Sequence, residues 1–62
     1  MNLFDKVSLA ASNAEKIEQY QIAVEKWNSA ALAAQKQENR EWAIRRRDFC
    51  LMRLKSKKLV QR

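Results

Sequence analysis

The 62-residue sequence contains no glycine, no proline, no histidine and a single cysteine. Tight turns, bulges and β-hairpins usually recruit glycine or proline, so their absence argues for long helices joined by few connections. Cys50 alone cannot form an internal disulfide, and without histidine it lacks the usual partners of a zinc site or an activated thiol. We therefore expect neither an enzyme nor a protein that holds a cofactor or a metal.

Long apolar runs are also missing, and none approaches the roughly 20 residues that span a bilayer. The sequence therefore predicts no transmembrane helix, and residues 1–11 lack the basic start and apolar centre of a secretory signal. A lone thiol fits a reducing cytoplasm, which is the location we expect. Residues 1–62 allow one small helical domain, which at this size buries only about 60% of the surface that its chain could expose. We expect association with another chain to supply the remaining stability.

A regular apolar pattern runs from Ile17 to Ala34 with alternating spacings of three and four residues, as on one face of a packed helix. It predicts a helix over residues 14–37, and a second pattern predicts a helix over residues 40–60. We expect the two to fold into an antiparallel hairpin, with one continuous helix over residues 14–60 as the rival. The predicted core residues are Ile17, Tyr20, Val24, Trp27, Ala31 and Ala34 on the first helix and Trp42, Phe49, Met52 and Leu59 on the second.

Two helix start signals compete near the N-terminus. Asn2 and Asp5 suit the cap and first turn of one helix, and Ser12 with Glu15 forms a capping-box pattern for another. We favour a short helix or arm over residues 1–12 that ends before the second signal. At the other end, residues 57–62 are expected to form a frayed basic tail.

The helix predicted over residues 40–60 is apolar on more sides than one neighbouring helix can cover. A helix of this kind is usually buried on several sides, and two-fold dimers are the commonest assembly that would do so. We therefore expect two hairpins to pack into a helical bundle. The predicted residues of this interface are Leu3, Phe4, Ile44, Cys50, Leu51 and Leu54.

Charge is distributed unevenly along the chain. Residues 40–62 carry nine basic and two acidic side chains, whereas residues 1–39 carry four and five. The predicted basic surface consists of Arg45, Arg46, Arg47, Arg53, Lys57 and Lys58. It would meet an acidic protein partner, or alternatively DNA or RNA through residues 40–58, or alternatively a membrane surface. A further alternative is that these cations have no partner and only keep an apolar helix in solution. Four acidic residues are also interpreted as surface charge: Glu15, Glu18, Glu38 and Glu41.

These patterns predict a small, non-enzymatic regulatory or adaptor protein that binds partners and forms a homodimer. Its size and self-contained architecture suggest a protein encoded by a bacterium or a phage. Alanine-rich helical hairpins resemble one another by pattern alone, so the sequence assigns the chain to no family.

Overall fold

The structure is a computed structural model that describes the backbone of residues 1–60 and the side chains of residues 1–56. Within these residues the chain is all-helical, with α1 at Leu3–Lys16, α2 at Tyr20–Ala33 and α3 at Gln37–Val60. α2 lies between the other two helices and packs against both. The all-helical prediction is confirmed, and a third helix at the N-terminus, α1, accompanies the two main helices.

α1 begins at the first of the two competing start signals. The Asn2 side chain accepts a hydrogen bond from the Asp5 backbone N–H at 2.8 Å, which satisfies one of the free donors of the first turn. The capping-box residues Ser12 and Glu15 lie inside the helix, which continues to Lys16. The short helix or arm predicted over residues 1–12 is therefore a helix, and it continues past residue 12 to a length of 14 residues.

α1 ends in a Schellman motif at the point where the sequence predicted an unbroken helix. The N–H of Gln19 donates to the carbonyl of Ala14 at 2.8 Å, and the N–H of Glu18 donates to that of Glu15 at 2.9 Å. Glu18 takes the left-handed conformation at φ 60°, a position that glycine or asparagine usually occupies. The helix predicted over residues 14–37 is therefore broken, and Ile17, placed in the predicted core, lies in the turn with 69% of its surface exposed.

The second connection needs no left-handed residue. α2 ends at Ala33, Ala34 is extended at φ −67° and ψ 131°, and α3 begins at Gln37. The chain therefore turns at residues 34–36, a few residues before the predicted turn, and the rival single helix over residues 14–60 is wrong. Arg47 near Asn28 and Arg53 over the Tyr20 ring show that α3 runs antiparallel to α2.

The interior is lined mainly by alanine. Seven alanines are buried across the three helices, and Trp27 and Cys50 are the largest side chains that are fully buried. Small side chains let helix axes approach closely, so the three helices meet through backbone proximity more than through interlocking large residues. The buried alanines are Ala11, Ala14, Ala23, Ala30, Ala31, Ala34 and Ala43.

Several predicted core positions do not lie in the interior. Trp42 is 45% exposed, Phe49 is 42% exposed and Met52 is 68% exposed, because α3 turns the face of Ala43 and Cys50 toward α2. Tyr20, Trp27, Ala31 and Ala34 are buried, and Val24 is partly buried against them. The Leu59 side chain and the tail predicted over residues 57–62 lie outside the part of the chain for which side chains are described.

Candidate functional site

α3 has two contrasting faces. Its inner face carries Ala43 and Cys50, both completely buried. Its outer face, defined here as Asp48, Leu51, Met52 and Lys55, surrounds a shallow apolar hollow that also reaches Leu54. Because Leu51 is 41% exposed and Met52 is 68% exposed, the outer face presents apolar surface on the C-terminal half of α3.

An aromatic cluster joins all three helices at the other half of α3. The Trp42 ring meets the edge of Trp27 with centroids 4.9 Å apart and an interplanar angle of 83°, and it lies 6.1 Å from Phe4. Edge-on contacts of this kind are favourable for aromatic rings. Trp42 is thereby held in place on one side and open to solvent on the other.

A partly buried carboxylate on α1 contacts both of the other helices. Glu15 on α1 accepts a hydrogen bond from Trp27 Nε1 on α2 at 2.5 Å and from Arg46 Nε on α3 at 3.3 Å. Arg46 Nη2 donates to the second carboxylate oxygen, which makes the ion pair bidentate. We call Glu15, Trp27 and Arg46 the Glu15 cluster. The Glu15 side chain is 12% exposed, so the interpretation of this residue as surface charge was wrong.

Electrostatics within the Glu15 cluster follow from these contacts. The hydrogen bond to the Glu15 carboxylate raises the pKa of the Arg46 guanidinium and outweighs the lowering caused by partial burial. The guanidinium also lies over the Phe49 ring, 4.7 Å from its centroid, where a cation is attracted to the π face. Arg46 is thus held by two residues of its own chain, Glu15 and Phe49.

Cys50 lies beside this cluster and is shielded from solvent. Burial, together with the charge and hydrogen bonding of Glu15, raises the pKa of the Cys50 thiol to about 11, although Arg46 acts in the opposite direction. A thiol with such a pKa is almost entirely protonated at neutral pH and is a poor nucleophile. The structure places Cys50 in the interior of the chain, where it is completely buried, and not at an exposed surface.

The remaining predicted interface residues are divided between the core and the surface. Leu3 and Leu51 are exposed, whereas Phe4, Ile44 and Leu54 are partly buried against the core.

The predicted basic residues are also divided, and most contact other residues of the chain. Arg47 donates to Asn28 and Asp48 at 3.1 Å each, and Arg53 lies 5.8 Å from the centroid of the Tyr20 ring. Arg45 pairs with Glu41 at 3.6 Å in a solvent-exposed position. Lys57 and Lys58 have side chains outside the described part of the structure. Together with the inward position of Arg46, these contacts leave no single continuous face made by all four arginines.

Sequence reasoning missed the role of Glu15, although a signal was present. Phe4, Ser8, Ala11 and Glu15 follow helical spacing, and the first three are apolar or small. Extending α1 through Glu15 would have placed the carboxylate on the same face as Phe4.

None of the helices in the described residues is long and apolar enough to cross a membrane.

Comparison with known proteins relates the chain to a protein from a bacterial prophage region. The chain is 48% identical over 50 residues to an uncharacterised protein in the Mu-like prophage FluMu region of Haemophilus influenzae. The match covers 76% of this chain and 67% of the relative. No family model and no solved structure matches the chain. On this identity and coverage, the chain belongs to the same family as the FluMu-region protein.

Proposed function

We propose that the protein is a small, non-enzymatic regulatory or adaptor protein that acts by binding and works as a homodimer. The observation that carries the proposal is the apolar outer face of α3, where Leu51 and Met52 are exposed. Contiguous exposed apolar surface on a soluble chain marks an interaction site. In a chain this small, covering that surface also adds stability that the alanine-lined interior supplies only weakly.

A phage origin is part of the same proposal. The relative in Haemophilus influenzae lies in a prophage region, and the match spans most of both chains. A protein that acts by binding also fits a sequence with no histidine and a single cysteine, which is completely buried. The acidic protein partner predicted from the sequence would bind basic side chains of α3 that are exposed in the structure, such as Arg45 and Lys55.

Sedimentation of the purified protein at micromolar concentration tests the homodimer. We expect twice the chain mass of 7.3 kDa. Leu51→Glu places a charge in the apolar outer face and is expected to give a monomer of reduced stability. Leu32→Glu is the matched control, because Leu32 is 83% exposed on α2, and it should retain the dimer mass. A stable, monodisperse wild-type monomer would overturn the homodimer.

Nucleic-acid binding through residues 40–58 is the alternative proposal, and the contacts support it less. Arg46 pairs with Glu15, and Arg47 and Arg53 contact Asn28 and Tyr20, so three of the predicted phosphate contacts would have to be released. Retention on duplex DNA at low salt, falling steeply as salt is added, would favour this alternative over the adaptor. A membrane surface would be tested in parallel by co-sedimentation with anionic vesicles.

A further inference from the structure

The turn between α1 and α2 is a short hinge that holds a residue in an unfavourable conformation. Its three residues are Ile17, Glu18 and Gln19, and Glu18 carries the left-handed φ of 60°. A residue with a Cβ atom is strained in this conformation, and glycine would relieve the strain. Short strained hinges favour exchange of the element that they connect.

The local sequence also favours a helix across this hinge. Residues 14–20 contain no glycine, proline or asparagine, and most are good helix formers. If the hinge became helical, α1 and α2 would join into one helix over residues 3–33, about 46 Å long at 1.5 Å per residue. Ile17 would then continue the apolar face of Tyr20, Val24 and Trp27 instead of lying exposed in the turn. The structure therefore breaks a helix that the sequence would continue.

The contacts of α1 can be made equally well by a second copy of the chain. α1 presents small buried residues, Ser8, Ala11 and Ala14, together with Phe4 and the Glu15 carboxylate. Their receptors, Trp27, Trp42 and Arg46, lie on α2 and α3. An α1 from another copy would therefore find the same indole, ring and guanidinium partners.

α3 supplies the second part of the argument. It has 24 residues against 14 in α2, and Arg53 lies level with Tyr20 at the hinge end of the bundle. The last turns of α3 therefore project beyond the hinge, and Leu51 and Met52 lie close to it. Both residues are exposed within the single chain.

We propose that the homodimer forms by exchange of α1, an inference that rests on the proposed homodimer. In each chain α1 and α2 join into one helix, and each α1 packs on the α2 and α3 of its partner. Such exchange is a low-cost route to a two-fold dimer because every contact already exists within one chain. The two hinges then lie at the two-fold axis, where the projecting ends of α3 bring Leu51 and Met52 of both copies together.

The distance between α1 and α2 within one chain tests the exchange directly. Ala10 and Lys26 are exposed and equally far from Glu18 along the sequence, so they lie side by side, about 10 Å between helix axes, when the hinge is closed. In the joined helix they are about 24 Å apart. Spin labels on Ala10→Cys and Lys26→Cys in a Cys50→Ala chain, co-refolded with a large excess of unlabelled wild-type chain, report this distance by dipolar EPR.

The outcomes separate the exchange from the proposed function. A dimer mass with the long distance supports both. A dimer mass with the short distance overturns the exchange and leaves a dimer that joins through the outer face of α3. A monomer mass overturns both, whichever distance is found.

Charge reversal gives an independent test through the Glu15 cluster. Glu15→Arg and Arg46→Glu each place like charges together and are expected to lose the wild-type dimer when refolded alone. Mixed in equal amounts and refolded together, they restore both ion pairs only if Glu15 of one chain meets Arg46 of the other. Recovery of the dimer in the mixture, with helicity near that of wild type, supports exchange. A mixture that behaves as the sum of its two components contradicts it.

Discussion

The interior of the bundle and the outer face of α3 use apolar residues in opposite ways. Inside, Ala23, Ala30 and Ala43 are completely buried, whereas outside, Leu51 and Met52 stand in solvent. In most small domains the large aliphatic side chains would fill the core. Here the interior is suited to close helix approach, and large apolar side chains remain available for contact with another surface.

Adjacent arginines on α3 show the same division for charge. Arg45 and Arg46 differ by one position, yet Arg45 makes a solvent-exposed pair with Glu41, and Arg46 makes a bidentate pair with a Glu15 side chain that is almost buried. The rotation of about 100° between successive helix residues accounts for this difference. Residue type alone therefore does not predict which arginines are available to a partner.

The largest expected loss of unfolding free energy comes from truncating the buried Trp27, and truncation of the half-exposed Trp42 provides the comparison. Trp27→Ala removes the largest buried side chain and the indole donor to Glu15, and such truncations typically cost about 3–5 kcal/mol of unfolding free energy. Trp42→Ala truncates a half-exposed ring and should cost clearly less. Urea unfolding followed by circular dichroism measures both. Equal losses would contradict the placement of Trp27 inside and Trp42 at the surface.

The next largest effect concerns pH and the Cys50 thiol. Its pKa is raised from 9.0 to about 11 in the folded chain, so the unfolded chain releases this proton first as pH rises. The thiol therefore contributes stability that is complete below about pH 9 and is lost between pH 9 and pH 11, on the order of 2 kcal/mol.

Cys50→Ala is the control that isolates this effect from other titrating groups. The difference in unfolding free energy between wild type and Cys50→Ala should move in favour of the variant as pH rises through that window. Urea unfolding at pH 8, 9, 10 and 11 measures the difference. If the difference stays constant over the range, the thiol is not protected from ionisation.

The all-helical class could be predicted from residue types, but the positions at which the helices end could not. The absence of glycine and proline correctly indicated an all-helical chain. The same absence led to a helix predicted straight through Ile17, because the left-handed position at Glu18 is occupied by a residue that seldom takes it. Two backbone hydrogen bonds to Ala14 and Glu15 close this turn. Such bonds do not depend on side-chain type, so the apolar pattern of the sequence does not predict them.

The candidate site was predictable to a similar extent. The excess of apolar residues on α3 predicted that some of them would remain exposed in a single chain, and Leu51 is one of these exposed residues. The pairing of Arg46 with Glu15 depends on a contact between residues 31 positions apart, which spacing along a helix does not predict. Once α1 is extended to Lys16, however, Glu15 falls on the face of Phe4 and Ala11, so the error in the helix boundary produced the error in the site.

A smaller loss of unfolding free energy is expected when the ion pair of the Glu15 cluster is weakened, and it can be compared with the loss at an exposed ion pair. Glu15→Gln keeps the shape of the side chain but removes its charge, leaving the Arg46 guanidinium with a weaker partner. We expect a loss of about 1–2 kcal/mol of unfolding free energy, at the modest end because the Arg46 side chain is 38% exposed. Urea unfolding at low and high salt measures it, and a loss that disappears in high salt would place the pair at the surface.

Glu41→Gln is the matched change at a solvent-exposed ion pair of α3 and carries the smallest expected effect. Glu41 pairs with Arg45 at 3.6 Å, and their side chains are 50% and 75% exposed. Solvent screens a pair of this kind, so its removal should change the unfolding free energy by less than about 0.5 kcal/mol, and less again in high salt. Glu41 also accepts a hydrogen bond from the Gln37 side chain at 3.0 Å, which glutamine can still accept through its amide oxygen. A cost equal to that of Glu15→Gln would contradict the solvent-exposed position of the pair between Glu41 and Arg45.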